Sequence, residues 1–165
     1  MNVKDWNFKQ KPTGVWKRVL RLPIHLFRAH LGFLMGERIL LLIHQGRVSG
    51  RMRETAVEVV AHDRTTHEFI VCSGTGPRAD WYRNITALPA VEVQVRNHRW
   101  TPTQRLLPQQ EAAERFADYE RLHPTTARRL LTSMGNAYDG TDEGRFEMMA
   151  QMPMVAFSDA PSPLR

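Results

Sequence analysis

Gly46-Arg47-Val48-Ser49-Gly50-Arg51-Met52-Arg53 and Cys72-Ser73-Gly74-Thr75-Gly76-Pro77-Arg78-Ala79-Asp80-Trp81-Tyr82-Arg83-Asn84 mark the two ends of the stretch that organises this chain. Both contain glycine-rich turns bearing arginine, and each turn is attached to an apolar strand. Ile39-Leu40-Leu41-Leu42-Ile43, before the first turn, is too short and too aliphatic for anything but a buried strand. After that turn, Arg53 to Val60 alternates, with Arg53, Thr55, Val57 and Val59 on one face. The turn at 62–66 leads to a third strand, Glu68–Cys72, and short links make the three an antiparallel meander. Asp80 reads as the N-cap of a helix through Ala87, stopped by Leu88-Pro89. Turn amides and a helix N-terminus favour anions, and guanidinium groups add charge, so the two turns are expected to wall one anion-binding pocket. The competing reading is a pair of surface turns whose arginines are merely solvated.

Outward from this stretch, Val91-Glu92-Val93-Gln94-Val95-Arg96 is the clearest alternating strand, and Asn97-His98 turns it into a hairpin partner over Arg99–Leu107. Pro108 starts a helix to about Leu122, and Pro124 another ending near Met134-Gly135. Thr141-Asp142-Glu143 caps a helix to about Gln151, and Met154–Phe157 reads as a closing strand. On the N-terminal side, Val15 to Met35 has helical periodicity with Pro23 bending it, and Lys17, Arg18, Arg21, His25 and Arg28 lie beside the apolar stripe. The expected organisation is a polar tail over 1–14, a single domain over 15–158 and a frayed end over 159–165. About six short, mostly antiparallel strands with helices before and after them make an α+β domain. A small closed or nearly closed barrel is the natural way to hide the sheet edges.

The net charge of +6 is one-ended. Residues 1–60 carry 11 Lys and Arg against 4 Asp and Glu, while residues 61–165 are close to balanced. Such a distribution implies an anionic partner: nucleic acid, membrane headgroups or a phosphate-bearing small molecule. The cations lie mostly on a helix with a strong apolar face and are not interleaved with exposed aromatics, which argues against nucleic acid. Residues 15–36 could instead lie on an anionic membrane surface, or simply cover the core with their cations outward. The first residues lack the apolar core of a signal peptide, and no apolar run approaches the roughly 18–20 residues that span a bilayer. The expected location is cytoplasmic, with peripheral contact at the inner face of the cell membrane as an option.

Cys72 is the only cysteine, sits in an apolar run and reads as a buried thiol. No metal is expected: the chain has seven histidines but no His-Glu-x-x-His and no cysteine pair. There is no Gly-x-Ser-x-Gly elbow, no complete dinucleotide fingerprint and no Walker lysine. Pocket-building groups without an obvious nucleophile suit an enzyme whose cofactor supplies the reactive atom, and equally a non-catalytic protein that binds a lipophilic or flavin-like ligand.

Leu40-Leu41-Leu42-Ile43 followed by Gly46-Arg47-x-Ser49-Gly50-x-x-Arg53 resembles the opening motif of the deazaflavin (coenzyme F420)-dependent nitroreductase family. Ser73-Gly74-x-Gly76-x-x-x-Asp80-Trp81-Tyr82-Arg83-Asn84-Ile85 with Pro89 resembles its second motif. The resemblance implies a split β-barrel of the FMN-binding-like type. It also implies an oxidoreductase that transfers hydride from reduced coenzyme F420 to a small electron-poor acceptor: a quinone, an enone or lactone, or a nitroaromatic. FMN is the alternative cofactor, and split barrels of this kind commonly pair as homodimers. Carried onto this sequence, the cofactor-binding set is Arg47, Val48, Ser49, Arg53, Thr55, Val57, Glu58, Cys72, Ser73, Gly74, Asp80, Trp81, Tyr82 and Asn84. The implied roles are a hydrogen bond from Ser73 to the ring and a cap on the substrate side from Tyr138, with protonation by solvent or by Tyr138. Trp81 and Tyr82 also read as core anchors of their helix. Two departures stand out. Val48 occupies the place of the family's usual Lys, where Arg51 or Arg78 could substitute for its charge, and Gly74 follows Ser73 where a Lys is usual in a longer loop.

Overall fold

The computed structural model describes residues 22–133 and 138–159. Seven strands form one antiparallel sheet: β1 (Ile39–Gln45), β2 (Met52–Asp63), β3 (Glu68–Cys72), β4 (Glu92–Val95), β5 (His98–Trp100), β6 (Thr103–Leu106) and β7 (Met154–Ser158). Their order across the sheet is β5-β4-β1-β2-β3-β7-β6. The helices are α1 (Leu22–Arg28), α2 (Asp80–Ala87), α3 (Gln109–Leu122), α4 (Pro124–Ser133) and α5 (Asp142–Met149), with a 3-10 turn at Gly32–Met35.

The strand order itself dictates curvature. β5 and β6 are consecutive in the chain yet lie at opposite ends of the sheet, so the sheet must curl until its ends meet. Pro102 falls between them, where a residue without an N–H cannot extend a ladder. This corrects the expectation of one strand over 99–107: β5 pairs with β4, while β6 leaves to pair with β7. Inside the curl, the Phe69 and Trp100 rings lie 5.6 Å apart although three strands separate β3 from β5. The Trp100 indole donates to Ser158 O at 3.0 Å, tying the ends together. The result is the expected α+β split barrel, with seven strands among the described residues rather than about six.

Each face of the sheet has its own core. Leu40, Leu42, Val57, Phe69, Val71, Val93, Val155 and Phe157 fill the inside of the curl, closed by Ile85 of α2 with Trp81 and Tyr82. Ile70, Met154 and Ala156 face outward and are covered by Ala112, Phe116 and Tyr119 of α3 and by Met148 and Met149 of α5. Burial on both faces is why Phe69-Ile70-Val71 and Met154–Phe157 are apolar without alternation.

Helix ends follow local chemistry, with one shift. Thr141 caps α5 as expected, its Oγ1 accepting from the Gly144 N–H at 3.0 Å. At α2 the cap position is Ala79 and Asp80 is already in the first turn, where its carboxylate complements the helix dipole. α1 begins the described N-terminal segment, with Pro23 in its first turn. The portion of the expected helix over 15–21, and the end of α4 at Met134-Gly135, fall outside the described residues.

Candidate functional site

β1 and β2 are joined by a closed turn. The Gly46 N–H donates to Arg51 O at 2.8 Å, the Gly50 N–H to Gly46 O at 2.7 Å, and Gln45 Nε2 to Gly50 O at 3.0 Å. Gly50 takes φ +64°, in the left-handed region that glycine occupies without penalty. Gly50→Ala should therefore cost about 1 kcal/mol of stability, read as a lowered denaturation midpoint; an unchanged midpoint would show that the turn can be rebuilt without strain.

Helix α2 arrives beside this turn and locks onto it. The Arg47 backbone N–H donates to Asn84 Oδ1 at 3.1 Å, and Arg47 Nη1 donates to the same oxygen at 2.8 Å. Arg47 Nη1 also reaches the Asp80 carbonyl at 3.5 Å, with Nη2 3.5 Å from Asp80 Oδ1. The two motifs, 37 residues apart, thus meet at Arg47 and Asn84. On its other side Asn84 Nδ2 donates to His44 Nδ1 at 3.1 Å, and His44 Nε2 lies 3.2 Å from Thr55 Oγ1. The proton positions follow from the chemistry of the donors. Asn84 Oδ1 accepts from Arg47, so Nδ2 faces His44; His44 Nδ1 must then accept, and its ring is neutral with the proton on Nε2, donated to Thr55.

His44 and Asn84 are both buried. Burial is the main force lowering the His44 pKa, and the nearby positive charge of Arg53 adds to it. The linkage sign follows: the unfolded chain takes a proton that the folded ring refuses. Stability is full above the ordinary histidine value and falls as pH drops below about 6.5 toward the lowered folded value. The melting temperature should therefore fall less between pH 7 and 5 in His44→Leu than in the wild type; parallel acid limbs would remove His44 as a contributor.

Around this corner stand further cations. Arg51, Arg53, Arg78 and Arg83 are exposed, and among the described residues none of the four forms a salt bridge with a carboxylate. Arg53 is the register partner of His44 across β1 and β2. Ser49 Oγ accepts weakly from the Arg51 N–H at 3.4 Å. Val48, at the tip of the turn, is 90% exposed. Thr55 and Val57 share the inner face with His44, while Trp81 and Tyr82 pack edge to face with centroids 5.9 Å apart and lean on the inner core.

The remaining expected residues lie elsewhere. Ser73 is fully buried and its hydroxyl donates to Gly76 O at 2.7 Å, closing the turn that carries Gly74. Cys72 faces the outer, helix-covered side, its thiol donating to Met152 O at 3.6 Å and pushed up to about 12 by burial. Glu58 accepts from the Tyr119 hydroxyl at 3.0 Å on that same side. Tyr138 packs there too, its hydroxyl donating to Glu120, with the Arg145 guanidinium 5.9 Å from its ring centroid. Burial first, and Glu120 second, hold the Tyr138 hydroxyl protonated at neutral pH. The expected set is thus brought together at Arg47, Asp80 and Asn84 and divided by the sheet at Glu58, Cys72 and Tyr138.

Sequence reasoning missed two residues of the corner. His44 closes the polar chain behind Asn84; its only signal was an imidazole at the end of an aliphatic strand. Gln104 pins the end of α2, its Oε1 accepting from the Ala90 N–H at 2.7 Å and its Nε2 donating to Ile85 O at 2.8 Å. Among the described residues no group of three or more His, Cys, Asp or Glu could hold a metal ion.

The protein-family model described as F420H(2)-dependent quinone reductase matches residues 21–135. The chain belongs to that family. Membership makes it an oxidoreductase of the class that uses reduced coenzyme F420, in agreement with the motif resemblance. Among solved structures, it is similar to an F420-H2 dependent reductase (FDR-A), with 19% identity over 74% of this chain and 96% of that one and a TM-score of 0.50. A second solved chain, described as a domain-swapped dimer, is 17% identical over 82% of this chain and 99% of its own, also with a TM-score of 0.50. At these identities the structural likeness speaks to the split-barrel fold of the family. No curated protein matches the sequence.

Proposed function

We propose that the protein reduces a small electron-poor acceptor, a quinone by first preference and an enone, lactone or nitroaromatic as relatives of the same chemistry, with coenzyme F420 held at the Arg47 corner. The observation that carries this reading is the junction of the two motifs, where Arg47 is held by Asn84 and the same two segments carry exposed arginines that form no salt bridge among the described residues. The residues fit an anionic cofactor. Arg47 keeps part of its five-donor fork for a phosphate, Arg53 lies one strand away, and the 46–50 turn adds amides. When bound, the reduced deazaflavin supplies a hydride. The chain's part is to grip the anionic end through Arg47, Ser49 and Arg53, with Asp80, Thr55 and Val57 around them and Trp81 and Tyr82 as the apolar wall. Gly74, in the turn closed by Ser73, is the ring-side candidate, whereas Cys72, Glu58 and Tyr138 lie across the sheet from Arg47, which leaves solvent as the proton source toward substrate. Val48 carries no charge at a solvent-exposed tip, so Arg51 or Arg78 stands in for the missing cation.

Arg53→Ala should weaken coenzyme binding by about 1.5 kcal/mol, roughly tenfold; an unchanged affinity in a titration would remove Arg53 from the site. Consumption of reduced coenzyme in the presence of a quinone tests turnover, and binding without consumption would favour a ligand-binding protein.

Two further readings belong to the same proposal. Leu22, Leu31, Phe33 and Leu34 are exposed beside His25 and Arg28, which supports peripheral contact with an anionic membrane that could deliver a lipophilic quinone. Co-sedimentation with anionic vesicles that persists after these four residues are made polar would refute that contact. Among the described residues no helix is long and apolar enough to cross a membrane. A homodimer is the expected assembly, to be read by light scattering, with a monomeric mass as the contrary result.

A further inference from the structure

A histidine that is almost fully buried nevertheless sits at the root of the site. Behind Arg47 runs a chain of four side chains from three elements and a turn: Thr55 of β2, His44 of β1, Asn84 of α2 and Arg47 of the turn. Its links measure 3.2, 3.1 and 2.8 Å. His44 is 2% and Asn84 4% exposed, so water does not compete for the bond between them.

The weak point of such a chain is the Asn84 amide. Its oxygen and nitrogen have nearly the same shape, and rotation by half a turn exchanges them. With Oδ1 toward Arg47, the amide accepts both the backbone N–H and Nη1 of that residue. With Nδ2 there, two donors would face a donor, and the guanidinium would lose its anchor. The acceptor on His44 Nδ1 braces the first state from the other side of the amide, and it is an acceptor when the ring proton sits on Nε2, toward Thr55 Oγ1.

We propose that His44 is a positioning residue for anion recognition, fixing the Asn84 amide so that Arg47 is aimed at the phosphate of the bound coenzyme. This rests on the function proposed above for the Arg47 corner. Thr55 accepts the Nε2 proton, His44 braces the amide orientation that the Arg47 donors also require, and Asn84 holds the guanidinium. Arg47 thereby meets its ligand with its rotamer already fixed, and less conformational entropy is lost on binding.

The test compares two nearly isosteric replacements. His44→Asn keeps an acceptor, Oδ1, at the place of Nδ1; His44→Leu has none. Each is titrated with coenzyme F420 and with the deazaflavin chromophore lacking the phosphate, and thermal melts establish that the variants are folded. His44→Leu should bind the coenzyme about tenfold more weakly and the phosphate-free chromophore as the wild type does. His44→Asn should keep most of the coenzyme affinity. Combining His44→Leu with Arg47→Ala should add no loss beyond Arg47→Ala alone. Equal weakening of both ligands, equal behaviour of Asn and Leu, or additive losses would each overturn the proposal. A readout without ligand separates it from the functional reading: imidazole 15N shifts in the free protein should report the Nε2–H tautomer above pH 7. The Nδ1–H tautomer would overturn the positioning role even if the coenzyme binds. Failure of the wild type to bind the coenzyme would overturn the phosphate assignment while leaving the tautomer result to stand on its own.

Discussion

Arg47→Ala should weaken coenzyme F420 binding by about 2–3 kcal/mol, some 30- to 150-fold. The expectation is larger than for Arg53 because Arg47 is held in place before any ligand arrives. Its side chain is 22% exposed, its Nη1 is bound to Asn84, and its own backbone N–H is bound to the same oxygen. A charged hydrogen bond made by a preorganised donor forfeits little entropy, so removing it costs near the top of the usual range. The nearby Asp80 carboxylate does not satisfy the cation fully, since its Oδ1 stands 3.5 Å away and its side chain is 65% exposed. Phosphate-free chromophore should be far less affected. A uniform loss for both ligands, or none, would place the anionic end of the coenzyme elsewhere.

The second large effect concerns stability and lies on the far side of the sheet. Arg105→Leu should destabilise the fold by about 3 kcal/mol, lowering the melting temperature by roughly 6–12 °C. Arg105 of β6 makes paired bonds to two carboxylates: to Glu68 of β3 at 2.6 and 2.7 Å, and to Glu111 of α3 at 2.8 and 2.7 Å. The Glu68 side chain is only 10% exposed, so losing the guanidinium strands a desolvated charge. Arg105 itself is 40% exposed, and solvent screening sets the estimate at the lower end for a buried pair. The pH dependence is diagnostic. Arg105 holds both Glu68 and Glu111 below the ordinary carboxylate range, through its hydrogen bonds first. Their contribution is present above about pH 4.5 and is lost as pH falls through the lowered folded values. The gap between wild type and variant should be full at pH 7 and narrow below pH 4.5. A gap independent of pH would point to lost packing of the arginine stem instead.

Much of this architecture was legible because local chemistry and tertiary demand agree. Glu68–Cys72 reads as a strand from its apolar run, and it is one, because both its faces are covered. The helix at Asp80–Ala87 is bounded by Ala79 and by the Leu88-Pro89 stop. The broken strand over 99–107 was less accessible. Its second half pairs with Met154–Ser158 some fifty residues later, and Pro102 is the one local sign of the break. The Arg47–Asn84 junction could be anticipated from two motifs that both favour anions. His44 could not. A single imidazole in Ile39–Gln45 gives no periodic signal, and its meaning arises only when α2 brings Asn84 to one ring nitrogen and β2 brings Thr55 to the other. Similarly, Glu58 and Cys72 belong to strands covered on both sides, where alternation tells which residues share a face but not which face meets the ligand.

The most direct measurement is a fluorescence titration of the purified protein with coenzyme F420 alongside FMN. Saturable binding of the deazaflavin, clearly tighter than FMN and reduced by Arg47→Ala, is the expected result. Binding of FMN alone, or of neither, would contradict a site built around Arg47 for the deazaflavin coenzyme.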